Sequence, residues 1–124
     1  VSDRHCHDRA ARGADAERAA EFWLQSQGLR TLARNYRCRH GEIDLIMLDG
    51  DCLVFVEVRL RSRSDFGGAD ASVDARKQRR IALAAQHFLL CQPRWQLAPC
   101  RFDVLAARST DAWQWLRDAF QLHD

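Results

Sequence analysis

Apolar residues recur at helical spacing between residues 14 and 27, where Ala16, Ala19, Ala20, Phe22, Trp23 and Leu24 form a stripe. Gly28 stands where such a helix would stop. The residues before it, 1–12, are polar and aperiodic and are expected as a loose tail, with 13–124 as a single domain. Residues 31–39 are expected as a first strand. Residues 42–48 and 52–61 form two apolar runs around Leu48-Asp49-Gly50-Asp51, and Asp-Gly between such runs signals a β-hairpin. Residues 61–72 are polar, contain Gly67-Gly68 and are expected as a loop. A second helix is expected over 74–90, burying Ile81, Ala84, Ala85 and Phe88, then a connection broken by Pro93 and Pro99. A fourth strand over 100–106 precedes a third helix over 110–122, with Trp113, Leu116 and Phe120 as its stripe. The order α-β-β-β-α-β-α predicts an α/β fold, a mixed sheet flanked by helices.

Alternation in the hairpin separates two faces. Ile43, Leu45 and Met47 share one with Val54, Val56, Val58 and Leu60, and that face is wholly apolar. The other carries Glu42, Asp44, Ile46 and Leu48 against Leu53, Phe55, Glu57 and Arg59. With Asp49 and Gly50 as the turn, Asp44 and Glu57 are diagonal neighbours, about 7–8 Å apart at the backbone. A loop two residues longer sets them directly opposite. Both registers bring the two carboxylates together, whereas a one-residue slip would put charge in the core.

Length and composition narrow the field. A chain of 124 residues, 47% hydrophobic and 29% charged, is one globular domain. No apolar run could span a bilayer and no signal peptide is visible, so a membrane partner is not expected. Five cysteines without a C-x-x-C pair fit reduced thiols in a cytoplasmic protein. His5-Cys6-His7 lacks a second ligand pair and fits a frayed terminus better than a metal site. The net charge of +2 is uninformative, but its distribution is not. Four arginines and no acid lie in 30–40, five acids and no Lys or Arg in 41–57, and seven bases against three acids in 58–80. Lys77 is the only lysine beside 18 arginines.

Like charges opposed across strands are destabilising, so Asp44 and Glu57 call for compensation. A divalent cation would supply it: Mg²⁺ is commonly held by one or two carboxylates with water and phosphate oxygens. Such an ion polarises a phosphodiester and generates hydroxide. Neutralisation by Arg59 and other arginines is the competing explanation, and spacing does not choose between them. Arg76, Lys77, Arg79 and Arg80 lie in the first turns of the second predicted helix. There they oppose the helix dipole, but with the exposed N–H groups they would cradle phosphate. Beside a carboxylate cluster they read as half of a nucleic-acid site.

Several strings, in order, resemble one family of small bacterial proteins, the YraN family. They are Gly13-Ala14-Asp15-Ala16-Glu17, Asn35-Tyr36-Arg37-Cys38-Arg39, Gly41-Glu42-Ile43-Asp44-Leu45-Ile46 and Val54-Phe55-Val56-Glu57-Val58-Arg59. Phe66-Gly67, Val73-Asp74-Ala75-Arg76-Lys77-Gln78-Arg79-Arg80 and Arg101-Phe102-Asp103-Val104 complete the set. That family in turn resembles the restriction-endonuclease-like fold and the archaeal Holliday-junction resolvases, which implies an α-β-β-β-α-β core. The resemblance matches Asp44 and Glu57 to that superfamily's acidic motif, Arg59 to its lysine, Glu17 to an acid near the metal, and Lys77 and Gln78 to a basic helix start. Arg59 departs from the pattern, because a guanidinium keeps its proton and cannot act as a base.

Two functions of different class follow. The first is a Mg²⁺-dependent (or Mn²⁺-dependent) endonuclease acting on DNA, branched DNA included. Asp44 and Glu57 would bind metal, Glu17 and Glu42 would assist, and Arg59 would position water or phosphate. Arg61, Arg63, Arg76, Lys77, Gln78 and Arg80 would contact the nucleic acid. The second is a nucleic-acid-binding module without catalysis on a nuclease scaffold. Trp113 and Trp115, two apart on a helix, would not both face the core and could mark a protein contact. A symmetric junction as substrate would call for a homodimer. His40, His87 and Asp103 are expected to be non-catalytic, Asp103 as a partner for an Arg.

Overall fold

The computed structural model describes residues 2–60, 73–107 and 112–121, with side chains from residue 14 onward. Its elements are α1 (Ser2–Ser26), β1 (Arg30–Cys38), β2 (Gly41–Asp49), β3 (Cys52–Leu60), α2 (Ala75–Cys91), a 3-10 turn (Pro93–Trp95), β4 (Cys100–Ala107) and β5 (Trp113–Phe120). The five strands form one sheet in the order β1-β2-β3-β4-β5. All neighbours are antiparallel except β3 and β4, which run parallel because α2 crosses between them. The expected α-β-β-β-α-β core is therefore present. The expected loop over 61–72 lies outside the described residues.

Each face of the sheet carries one helix. On one face Ala20 and Leu24 of α1 pack with Leu45, Met47, Val54, Val56 and Leu105. On the other, Ile81, Ala84, Ala85 and Phe88 of α2 pack with Ile46, Leu48, Leu53, Phe55, Phe102 and Val104. The four residues read as the second helix's stripe are the ones it buries. Burial on both faces explains why β2 and β3 read as apolar runs.

One expectation is corrected. The last described element is a strand, not a third helix: β5 pairs with β4 through Leu105↔Trp115 and Ala107↔Trp113. The Trp113, Leu116 and Phe120 stripe divides between the faces. Trp113 and Trp115 pack against the α1 cluster, Leu116 and Phe120 against the α2 cluster. A strand that packs partly on both faces can place apolar residues at helical intervals, so periodicity misled here. Two residues apart on a strand means the same side, so both tryptophans do face the core, and Trp115 meets Trp23 edge-on at 5.8 Å. In residues 2–12, expected as a tail, the backbone continues α1. Ala10, Ala11 and the arginines there are good helix formers without a proline to interrupt them.

Candidate functional site

The hairpin settles the register. Asp49 pairs with Cys52 and Leu45 with Val56, so the turn is Gly50-Asp51, with Gly50 at φ +60°. The next step of this register sets Asp44 opposite Glu57. No longer loop is needed; the two-residue turn sits one position later than Asp49-Gly50, with glycine first, as a type II′ hairpin favours.

Beyond Leu45↔Val56 the ladder stops. From there β2 pairs only with β1, and β3 only with β4. Asp44 lies where the strands part, and its Oδ2 accepts the Val58 N–H at 2.8 Å. Alternation breaks at this point: Ile43, expected with Leu45 and Met47, packs instead in the α2 cluster. The split admits side chains from both faces. Glu17 arrives on α1, close enough to Asp44 and Asn35 for both to act on its carboxyl. Lys77 arrives on α2, its Nζ 2.8 Å from Glu57 Oε1.

Electrostatics follow from this crowding. Glu57 is only 6% exposed. Burial, then Asp44, push its pKa up to about 7, against the opposing pull of Lys77 and Arg59. Burial also raises Asp44, offset in part by the Val58 N–H and Lys77. Glu17 is raised by burial and then by Asp44. These are carboxyls held together at a cost in ionisation, with hard oxygen donors of the kind Mg²⁺ takes. Among the described residues no group of three or more His, Cys, Asp or Glu converges as a metal site. Asp44 and Glu57 are the buried carboxyls that could hold an ion here, with water or substrate oxygens completing its shell.

The other expected residues divide. Glu42 is exposed and pairs with Arg37 at 3.3 Å, at the rim. Arg59 lies within electrostatic reach of Glu57. Arg76 and Arg80 are exposed and, with Glu42, Asp74, Lys77 and Ile81, line a groove of about 400 Å³. Gln78 is engaged elsewhere, its Nε2 donating to Val73 O at 2.7 Å. Asp74 caps α2 by accepting the Lys77 N–H at 2.8 Å, so the helix start is already served by a carboxylate. Phosphate in the groove would meet side chains rather than free N–H groups. Arg61 and Arg63 lie outside the described residues, and His5, Cys6 and His7 outside those with described side chains.

His40 is exposed in the β1–β2 turn. His87 is exposed and its Nδ1 hydrogen-bonds with the Tyr36 hydroxyl. Asp103 is fully buried and has the arginine partner expected of it: Arg101 Nε lies 3.0 Å from Oδ1. It also accepts from Trp115 Nε1 and the Asp118 N–H, both at 2.9 Å. Sequence reasoning missed two parts of the site. Asn35, at φ 50°, turns the edge strand so that its amide reaches Glu17; an Asn inside a strand pattern was the available signal. Gly41 lies under α2, where an added Cβ would stand 2.3 Å from Arg80 O.

Comparison with known proteins places the chain. The uncharacterised protein family UPF0102 matches residues 16–107. The chain belongs to that family. A UPF0102 protein of Pseudomonas fluorescens (strain Pf0-1) is 54% identical over 109 residues, covering 87% of this chain and 91% of its own. One from Alcanivorax borkumensis is 52% identical over 112 residues, covering 87% and 90%. One from Methylobacillus flagellatus is 54% identical over 110 residues, covering 87% and 95%. UPF0102 is the YraN family whose strings the sequence resembles. The matched span includes Glu17, Asp44, Glu57, Arg59 and Lys77 and ends at the last residue of β4. No helix among the described residues is long and apolar enough to cross a membrane.

Proposed function

We propose that this chain binds nucleic acid and carries a Mg²⁺-dependent endonuclease-like site for DNA phosphodiesters, with branched DNA the first substrate to test. The observation that carries the reading is the buried Asp44–Glu57 pair opening beside a groove lined by Arg76, Lys77 and Arg80. The α-β-β-β-α-β order supports the resemblance to restriction-endonuclease-like folds. Asp44 and Glu57 would hold Mg²⁺ or Mn²⁺, which when bound supplies Lewis-acid polarisation of the phosphodiester. Arg76 and Arg80 bind phosphates along the groove. Arg59, always protonated, orients a phosphate oxygen or water by donating hydrogen bonds and takes up no proton. Glu17 and Asn35 hold the Asp44 carboxylate in place.

The test is cleavage of four-way and duplex DNA with Mg²⁺ or Mn²⁺ by the natural chain and by Asp44→Asn. The amide still accepts the Val58 N–H, so the strand split is kept. Loss of cleavage with DNA affinity unchanged supports the reading. No cleavage of any substrate by the natural chain, with DNA binding intact, selects the second one: a nucleic-acid-binding module without catalysis. The Lys77–Glu57 ion pair favours that second reading, because it already neutralises one of the two acids.

A further inference from the structure

Lys77 stands among the basic groove residues, yet its ammonium points inward. Nζ lies 2.8 Å from Glu57 Oε1, and Glu57 is nearly sealed from solvent. The same ammonium acts on Asp44 electrostatically, so it serves both acids. The side chain as a whole is about half exposed, at 51%, along a groove it shares with Arg76 and Arg80. Its backbone is fixed by the Asp74 cap, while its four-carbon stem is free to turn. One lysine can thus reach either the acid pair or an anion in the groove.

We propose that Lys77 is a displaceable counter-ion: its ammonium occupies the cation position of the Asp44–Glu57 pair, and a divalent metal enters as the ammonium swings from Glu57 to phosphate in the groove. The inference rests on the metal-site reading above. Lys77 then sets metal affinity and couples it to nucleic acid, since an anion in the groove draws the ammonium away and metal on the acids releases it to the anion. Such coupling is reciprocal by linkage.

Titration calorimetry with Mn²⁺ alone tests this on the natural chain, Lys77→Met, Lys77→Gln and Lys77→Arg. Lys77→Gln keeps a hydrogen-bond donor for Glu57 and guards against loss of fold in Lys77→Met. Both neutral variants are expected to bind Mn²⁺ about tenfold more tightly or better, the least that removing a unit charge about 4 Å away would give at a protein surface. Lys77→Arg should bind like the natural chain, and the gain should vanish in a Glu57→Gln background. Saturating Mn²⁺ should raise affinity for duplex DNA more in the natural chain than in Lys77→Gln, because only the natural chain releases an ammonium to the phosphate. Equal Mn²⁺ affinity in the natural and neutral chains overturns the counter-ion role and leaves the metal site standing. No Mn²⁺ uptake by any of them overturns both. An equal effect of Mn²⁺ on DNA affinity in the natural chain and Lys77→Gln also overturns it, because the lysine then does not couple the two ligands.

Discussion

At the scale of single residues, ionisation of buried acids dominates. Glu57 has its pKa raised from 4.5 to about 7 by folding, so the folded chain binds this proton more tightly than the unfolded one. Its contribution to stability is full below the unfolded value and is lost as pH rises through the folded value. Denaturant titrations without divalent metal should therefore show stability falling by about 3 kcal/mol between pH 4 and 8 from this group. Glu57→Gln should flatten that decline, and a profile unchanged by the substitution would show that burial does not perturb the carboxyl. Glu21 behaves oppositely. Arg34, with two contacts at 2.7 Å, and then Thr31 at 2.6 Å, hold its pKa below the usual range. Its contribution is present at neutral pH and is lost on acidification. Asp103 is a hydrogen-bonding anchor inside the sheet. Asp103→Ala leaves Arg101, the Trp115 N–H and the Asp118 N–H short of an acceptor and should cost about 3–5 kcal/mol in chemical denaturation.

At the scale of elements, the site depends on where α2 meets β2. The helix passes so close to Gly41 that any side chain there collides with Arg80 backbone. Gly41→Ala should cost about 1–3 kcal/mol. It should also weaken DNA binding, because it displaces the turn that carries Arg76, Lys77 and Arg80. A melting temperature equal to that of the natural chain would show that the helix can yield at no cost. The β5 strand shows the opposite lesson about legibility. Its tryptophans and phenylalanine satisfy a helical template, and only pairing with β4 makes it a strand. The register shift between Phe102 and Val104 and the positive φ of Asp118, 52°, place the Asp118 N–H on Asp103. A contact fifteen residues away decides that geometry, so no local window contains it.

At the scale of the whole molecule, charge is organised around the strand split. Acids gather inside it, while Arg76 and Arg80 stand on the α2 side, Arg37 on the edge strand β1 and Arg39 in the turn that follows it. If the groove holds a nucleic-acid backbone, DNA affinity should fall steeply with salt. Arg76→Ala and Arg80→Ala should each reduce the slope of log K against log salt by about 1, as anisotropy titrations across salt concentrations would report. Slopes unchanged in both variants would place the nucleic acid elsewhere.

By itself the sequence determined the core order of elements, the hairpin, the buried stripe of α2 and the closeness of Asp44 and Glu57 on neighbouring strands. Those follow from alternation and turn chemistry, which act over a few residues. Tertiary structure alone decided that β2 and β3 part at Asp44, that Lys77 faces Glu57 rather than solvent, that Gln78 serves Val73, and that the last described element is a strand. Each of these rests on groups distant in sequence competing for the same space or the same hydrogen bond, and such competition has an outcome only once the chain is packed.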